Sequence, residues 1–241
     1  MRYGIFADVH SNIAAFEAVH TALQKVDIDQ YVFVGDIVGY GASPHECIAL
    51  LRKMNALSVV GNHDLAVIDF FNINRFNDFA KESIRWTKKN LSNLEKMFLS
   101  GVNLIEEGDS FHLAHGSLYH PENFEYMTNK SEAMKTFCVM KRQICFVAHS
   151  HIPGIFIESE EDVQYKVSSL LLIERGRRYV VNVGSVGQPR DGDANACYCV
   201  YDDQACTIEI KRVSYDVAKA QKDILNAGLP QDFADRLAIG R

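Results

Sequence analysis

Five short apolar runs in this chain end abruptly in aspartate, asparagine or histidine, and that recurrence constrains its fold more than any other feature. Leu57-Ser58-Val59-Val60 runs into Gly61-Asn62-His63-Asp64, Tyr3-Gly4-Ile5-Phe6-Ala7 into Asp8 and His10, and Tyr31-Val32-Phe33-Val34-Gly35 into Asp36. Ser110-Phe111-His112-Leu113-Ala114 ends in His115, and Ile144-Cys145-Phe146-Val147-Ala148 in His149 and His151. Short β-rich apolar runs closed by polar residues read as buried strands. Five strands that each carry a polar side chain at the end can crowd those side chains around one point. Asp8 and His10 are two apart, as are His149 and His151, so an extended backbone would project each pair to one side.

The intervening segments read as helices. Ile13, Phe16, Val19, Leu23 and Val26 recur at helical spacing behind Ser11 or Asn12, both suitable caps. Asp36 is followed by the turn Gly39-Tyr40-Gly41 and a helix opening at Ser43-Pro44, which makes right-handed βαβ units with parallel strands. A further helix is expected over Asn77 to Asn90, and Ser92-Asn93-Leu94-Glu95 reads as a capping box. From Val102 the pattern turns to hairpins, the first joined at Glu107-Gly108-Asp109. The charged segments 158–162 and 174–178 read as solvated turns. A last helix from Tyr215 to Asn226 stops at Ala227-Gly228-Leu229-Pro230, ahead of a short helical tail. No repeat, low-complexity tract or linker interrupts residues 1–241, so one domain is expected. The element order predicts two stacked sheets, the first parallel-rich and the second antiparallel-rich, with helices outside.

Composition, at 47% hydrophobic and 23% charged, is that of an ordinary globular protein rather than a disordered one. A net charge of -6 argues against bulk attraction to nucleic acid or to anionic membranes. No apolar run approaches the roughly 20 residues of a membrane span. Met1-Arg2 passes straight into a strand without a signal-peptide pattern, and a cytoplasmic protein is expected. Cys47, Cys138 and Cys145 lie singly; Cys197 and Cys199 would share one strand face, with Cys206 across a hairpin. No paired C-x-x-C spacing is present, so all six cysteines are expected to be buried free thiols.

Aspartate, asparagine and histidine gathered in this way suit a pair of metal ions. The carboxylate of Asp36 can bridge two cations, while the Asn62 oxygen and neutral imidazoles complete mixed nitrogen and oxygen shells. Two divalent cations roughly 4 Å apart share a hydroxide of lowered pKa that attacks phosphorus in line, and they offset the charge that develops on the leaving oxygen.

The order Asp8-Val9-His10, Gly35-Asp36, Gly61-Asn62-His63-Asp64, His115 and His149-Ser150-His151 resembles the calcineurin-like metallophosphoesterase superfamily, whose pattern runs D-x-H, G-D, G-N-H-[DE], H and G-H-x-H. Within it the chain looks similar to the small bacterial phosphodiesterases of the YfcE-like group, through 35–41, Trp86-Thr87-Lys88, 182–190 and 227–230 as well. The resemblance implies an α/β (α+β) fold, a four-layer αββα sandwich of two mixed β-sheets flanked by helices. It implies that Asp8, His10, Asp36 and His151 hold one metal, and Asp36, Asn62, His115 and His149 the other. His63 would then face substrate, stabilising the transition state or protonating the leaving alkoxide, with Asp64 either orienting His63 or capping the next helix. Asn62, His63 and Arg190 would bind substrate, Arg190 with the aid of the glycine loop before it. The aromatic loop 119–126 is a candidate stacking surface for a base or aryl group.

Two departures from the family pattern bear on that transfer. Ala148 stands where the family has glycine, which removes an easy positive φ. Gly39-Tyr40-Gly41 replaces the G-D-x-x-D-R-G of the serine/threonine protein phosphatases, which argues against that activity. The expected function is metal-dependent hydrolysis of phosphodiesters, and of phosphomonoesters as a second class, with Mn²⁺ the first choice and Fe, Zn or Ni also fitting the ligands. The expected partner is a small phosphoester or nucleotide. The alternatives are a dinucleoside polyphosphate hydrolase and a non-catalytic protein-interaction scaffold on the same fold.

Overall fold

The computed structural model describes residues 1–241. In chain order it runs β1 (Arg2–Phe6), α1 (Ile13–Leu23), β2 (Gln30–Val34), α2 (Pro44–Met54), β3 (Leu57–Val59), α3 (Asn62–Val67), α4 (Asp78–Asn90) and α5 (Asn93–Ser100). There follow β4 (Ile105–Glu107), β5 (Phe111–Ala114), α6 (Lys130–Val139), β6 (Ile144–Val147), β7 (Gly154–Glu158), β8 (Val163–Lys166), β9 (Leu170–Leu172) and β10 (Arg178–Asn182). β11 (Ala196–Asp202), β12 (Thr207–Val213), α7 (Val217–Asn226) and α8 (Gln231–Ile239) complete it. Short 3₁₀ turns lie at Ile73–Arg75 and Pro121–Asn123. No helix is long and apolar enough to cross a membrane.

Twelve strands form two six-stranded sheets, ordered β3-β2-β1-β11-β12-β9 and β4-β5-β6-β10-β7-β8. The expected split into a parallel-rich and an antiparallel-rich sheet does not hold. In the first sheet only β1–β2 and β2–β3 are parallel, and in the second only β5–β6 and β6–β10. The reason is topological. The late hairpin β11–β12, with β9 antiparallel on its outer edge, leaves the second sheet and lies antiparallel on β1, with Ile5 opposite Cys199.

Period-2 alternation sorts the side chains into layers. Ile5, Val34, Phe146, Val181 and Cys199 point between the sheets. Phe6, Phe33, Tyr198 and Val200 point outward onto Phe16, Val19 and Leu23 of α1 and Ile48 and Leu51 of α2. Cys145, Val147 and Val180 pack against Phe137 of α6 on the far side. The result is helix, sheet, sheet, helix. Each fully buried Val, Ile, Leu or Phe contributes about 1.5–3 kcal/mol, so the layers are held chiefly by these faces.

The helix ends follow local chemistry. Asn12 caps α1 by accepting from Ala15 N–H at 3.2 Å, and Ser92 with Glu95 forms the capping box of α5. α1 stops at Leu23, short of Val26. Of the cysteines, all free, Cys138 and Cys206 are exposed. Cys206 lies in the β11–β12 turn with φ +54° rather than opposite Cys197, because the strands pair from Asp202–Thr207 onward.

Candidate metal centre

The three parallel strands β1, β2 and β3 end at one edge of the first sheet, and the parallel pair β5 and β6 end at one edge of the second. Stacking the sheets brings the residues after these ends together, as carboxyl ends of strands do in open α/β sheets. The backbone there is not extended, contrary to the spacing argument for Asp8–His10 and His149–His151. Asp8, His10, Asp36, His149 and His151 all have φ between +48° and +67°. Such left-handed residues cost on the order of 1–3 kcal/mol each and persist only where surrounding contacts over-determine them. Here Asp8 N–H donates to Gly35 C=O at 2.9 Å and His10 N–H to Asp36 C=O at 3.1 Å, while Asp8 C=O accepts from Gly187 N–H at 2.9 Å and Ser185 Oγ at 2.8 Å. Ala148 keeps a negative φ, so the missing glycine is without consequence for the backbone.

The structure brings all seven expected ligands to one buried region. Asp8, His10 and His151 form one group able to hold an ion, Asp36, His115 and His149 a second, and His63 joins His10 and Asp36 in a third. Asp8 Oδ1 is 3.5 Å from His151 Nε2 and 3.8 Å from His10 Nε2, and Asp36 Oδ2 is 3.2 Å from His115 Nε2. Three imidazoles are oriented from behind through Nδ1: His10 by Val38 C=O at 3.0 Å, His115 by Val34 C=O at 2.7 Å, and His151 by Gln188 C=O. Nδ1–H donation fixes the tautomer and turns the Nε2 lone pair inward, the arrangement of metal-binding histidines.

Polar accounting shows that these residues fit a cation. Asp8 Oδ1, Asp36 Oδ2, Asn62 Oδ1 and His115 Nε2 are buried without a hydrogen-bond partner. Four such polar atoms in one place are costly unless something positive meets them, a proton on Asp8 and His115 in the cation-free protein or a cation that takes its place. Burial also holds the His10, His149 and His151 pKa values well below the ordinary imidazole value, which keeps them neutral and able to ligate. Burial pushes the Asp8 carboxyl up to about 8. Burial opposes a charge on His115, yet the Asp36 carboxylate raises its pKa to about 9.

An open cleft of about 210 Å³ exposes part of this cluster, lined by Asp36, Asn62, His63, His149, His151 and Arg190 among others. His63 Nδ1 is buried and unpartnered. Burial, then the Arg190 and His115 charges, outweigh the pull of Asp36 and bring the His63 pKa down to about 4, so at neutral pH it is an uncharged N–H donor. That favours a hydrogen-bonding over a proton-giving role.

Asp64 is not placed to orient His63. Its Oδ2 accepts from Asp36 N–H at 2.9 Å and Gly61 N–H at 3.1 Å, and its Oδ1 from Val38 N–H at 3.1 Å. It is therefore a positioning residue, tying the start of α3 to the main chain at Asp36.

Sequence reasoning missed half of a collar of rings around the histidines. Tyr40 lies 4.7 Å from His10 and 4.6 Å from His63 between ring centroids, Phe76 lies 4.9 Å from His63, and Phe124 lies 5.9 Å from His115. Tyr126, in the aromatic loop noted above, stacks on His149 at 4.1 Å. Tyr40 and Phe76 gave no motif signal beyond the glycines flanking the tyrosine. His45 and His120 instead pair with Glu95 and Glu122, and His112 accepts from the Lys141 and Arg142 N–H groups.

Comparison with known proteins agrees with this geometry. Residues 1–205 match the calcineurin-like phosphoesterase superfamily domain. The chain is 38% identical over 242 residues to the uncharacterized protein MJ0912 of Methanocaldococcus jannaschii, covering 98% of this chain and 97% of that one. Among solved structures it is similar to a metallophosphoesterase from Sphaerobacter thermophilus, at 34% identity and a TM-score of 0.87 over 100% of this chain and 99% of the other. It shares its fold with the hypothetical protein PH1004 of Pyrococcus horikoshii, at 19% identity and a TM-score of 0.81 over 100% and 98% of the two chains. The chain belongs to the calcineurin-like phosphoesterase superfamily.

Proposed function

We propose that this protein is a binuclear metal-dependent phosphodiesterase, with phosphomonoesters a second substrate class. The observation that carries the reading is the set of buried polar atoms without hydrogen-bond partners, Asp8 Oδ1, Asp36 Oδ2, Asn62 Oδ1 and His115 Nε2, beside a cleft open to solvent. Asp8, His10 and His151 would hold one divalent cation, Asn62, His115 and His149 the other, and Asp36 both. Bound there, the cations would supply an activated water at neutral pH and Lewis-acid stabilisation of the phosphoryl charge.

The remaining work falls to the chain. Water adds to phosphorus and gives up a proton, the ester P–O bond breaks, and the departing oxygen takes a proton from solvent. His63 N–H, which lines the cleft, would hydrogen-bond the reacting phosphoryl group or the departing oxygen, and the Arg190 guanidinium would take its non-bridging oxygens. Tyr126 offers a half-exposed ring beside His149 for an aryl or base group.

The test is reconstitution with Mn²⁺, Fe²⁺, Zn²⁺ or Ni²⁺, followed by elemental analysis and assay on bis-p-nitrophenyl phosphate and p-nitrophenyl phosphate. Two ions per chain and turnover of the diester above a metal-only blank are expected, with Mn²⁺ most effective. Hydrolysis of neither ester by any metallated form would sink the reading in favour of a binding scaffold.

A further inference from the structure

Two arginines line the cleft, and only one was expected there. Arg190 sits over the Tyr40 ring at 5.9 Å, and Arg75, from the 3₁₀ turn ahead of α4, sits over Phe71 at 4.9 Å. Tyr40 touches His63, His63 touches Phe76 at 4.9 Å, and Phe76 touches Phe71 at 5.7 Å. The guanidinium groups thus end a row of ring contacts, with Tyr40 between Arg190 and His63, and Phe76 and Phe71 between His63 and Arg75. Neither is neutralised. Arg75 donates to the Asn123 carbonyl at 3.1 Å and Arg190 to the Gln188 amide oxygen at 3.1 Å, and neither has a carboxylate partner.

The charge balance of the cleft points to its ligand. The whole chain carries a formal -6, yet Asp36 is the only acid lining the cleft, and its charge is committed to the metal centre. One phosphodiester brings a single negative charge, which Arg190 and the cations suffice to bind. A second free guanidinium in the same cleft matches a second anionic group, and its fork and planarity suit phosphate.

We propose that Arg75 is a specificity-determining residue that binds a second, non-reacting phosphate, so that the preferred substrates are small esters carrying at least two phosphates, of the nucleoside polyphosphate kind. This rests on the hydrolase reading above. The reacting phosphate lies at the metal centre with His63 and Arg190, and the other reaches along the ring row to Arg75.

The test measures binding by calorimetry to the Mn²⁺-loaded protein, with adenosine 5′-monophosphate and the non-hydrolysable adenosine 5′-(α,β-methylene)diphosphate as probes. The wild type is expected to prefer the diphosphate at least tenfold. Arg75→Gln should erase about 10- to 100-fold of that preference, the worth of a charge-assisted hydrogen bond, and Arg75→Lys should restore part of it. Equal affinity of the wild type for the two probes overturns the proposal, as does an unchanged preference in Arg75→Gln. So does an equal loss of both probes in Arg75→Gln, which would show that Arg75 only clasps the 121–123 turn. Bis-p-nitrophenyl phosphate turnover by the same wild-type preparation reports on the hydrolase reading separately, because that diester has no second phosphate.

Discussion

The Asp64 carboxylate grips Asp36 by its main chain, with Oδ2 accepting the Asp36 N–H at 2.9 Å while the Asp36 side chain turns to the metal centre. The same carboxylate takes the N–H groups of Gly61 and Val38, so one buried side chain sets the loop after β2 against the start of α3. Asp64→Ala leaves these three N–H groups without that acceptor, at a cost of roughly 2–5 kcal/mol. Denaturant unfolding of the metal-free protein should show this loss, and metal content should fall with it. Undiminished stability of the metal-free variant, with only turnover reduced, would return Asp64 to a chemical role.

Much of this centre was legible in the sequence because its ligands follow apolar runs, and a strand that ends in Asp or His advertises both the strand and the polar edge. Strand pairing was not. β11 lies beside β1 across nearly two hundred residues, a relation no local pattern encodes. Nor did spacing reveal the left-handed backbone at Asp8, His10 and His149, since Asp and His adopt it only when tertiary hydrogen bonds compel them. Asp64 was ambiguous for a related reason. A first-turn aspartate fits many helices, and which N–H groups it meets depends on β2, far away in sequence. Arg75 and Phe76 lie in an irregular segment whose composition does not say which cleft it will border.

His63→Ala should keep both cations yet lower kcat about 10²- to 10⁴-fold, the usual worth of a positioned acid, base or donor. Asp36→Asn removes the carboxylate charge that lies within reach of His115 and His149 on one side and of His10 and His63 on the other, and should weaken metal binding on both sides. Elemental analysis beside kcat separates the two variants. Loss of metal from His63→Ala would make His63 an inner ligand, as its grouping with His10 and Asp36 permits.

Metal binding should release protons. In the cation-free protein Asp8 titrates near 8 through burial, and His115 near 9 because Asp36 overrides burial, so both hold protons at pH 7. A cation must displace them, and protons compete better as pH falls. Apparent affinity should therefore rise with pH up to about 9 and level off above it, by up to tenfold per pH unit for each proton released. Calorimetry at pH 7 in buffers of different ionisation enthalpy should count about one to two protons. Zero release, with affinity flat from about pH 6.5 to 9, would place Asp8 and His115 outside the metal shell.

Gly61 tests how closely the first turn of α3 must approach Asp36. Its φ of -101° and ψ of 174° are open to any residue, so an alanine there meets no backbone penalty. A Cβ at this position would nevertheless stand 2.0 Å from Asp36 Oδ1 and 2.5 Å from Asp36 N. One of the two segments must move, and both are tied by Asp64. Gly61→Ala should cost about 1–3 kcal/mol through overpacking and shift the Asp36 carboxylate from its position, with loss of metal. Gly176 is the converse control, because its φ of +79° is strained for alanine while nothing lies within 4 Å of its Cβ. Gly176→Ala should lose about 1 kcal/mol and keep its full metal content, since that strain is local to the turn between β9 and β10. If Gly61→Ala instead binds metal with wild-type affinity, the close contact between Gly61 and Asp36 is not what holds the Asp36 carboxylate in place.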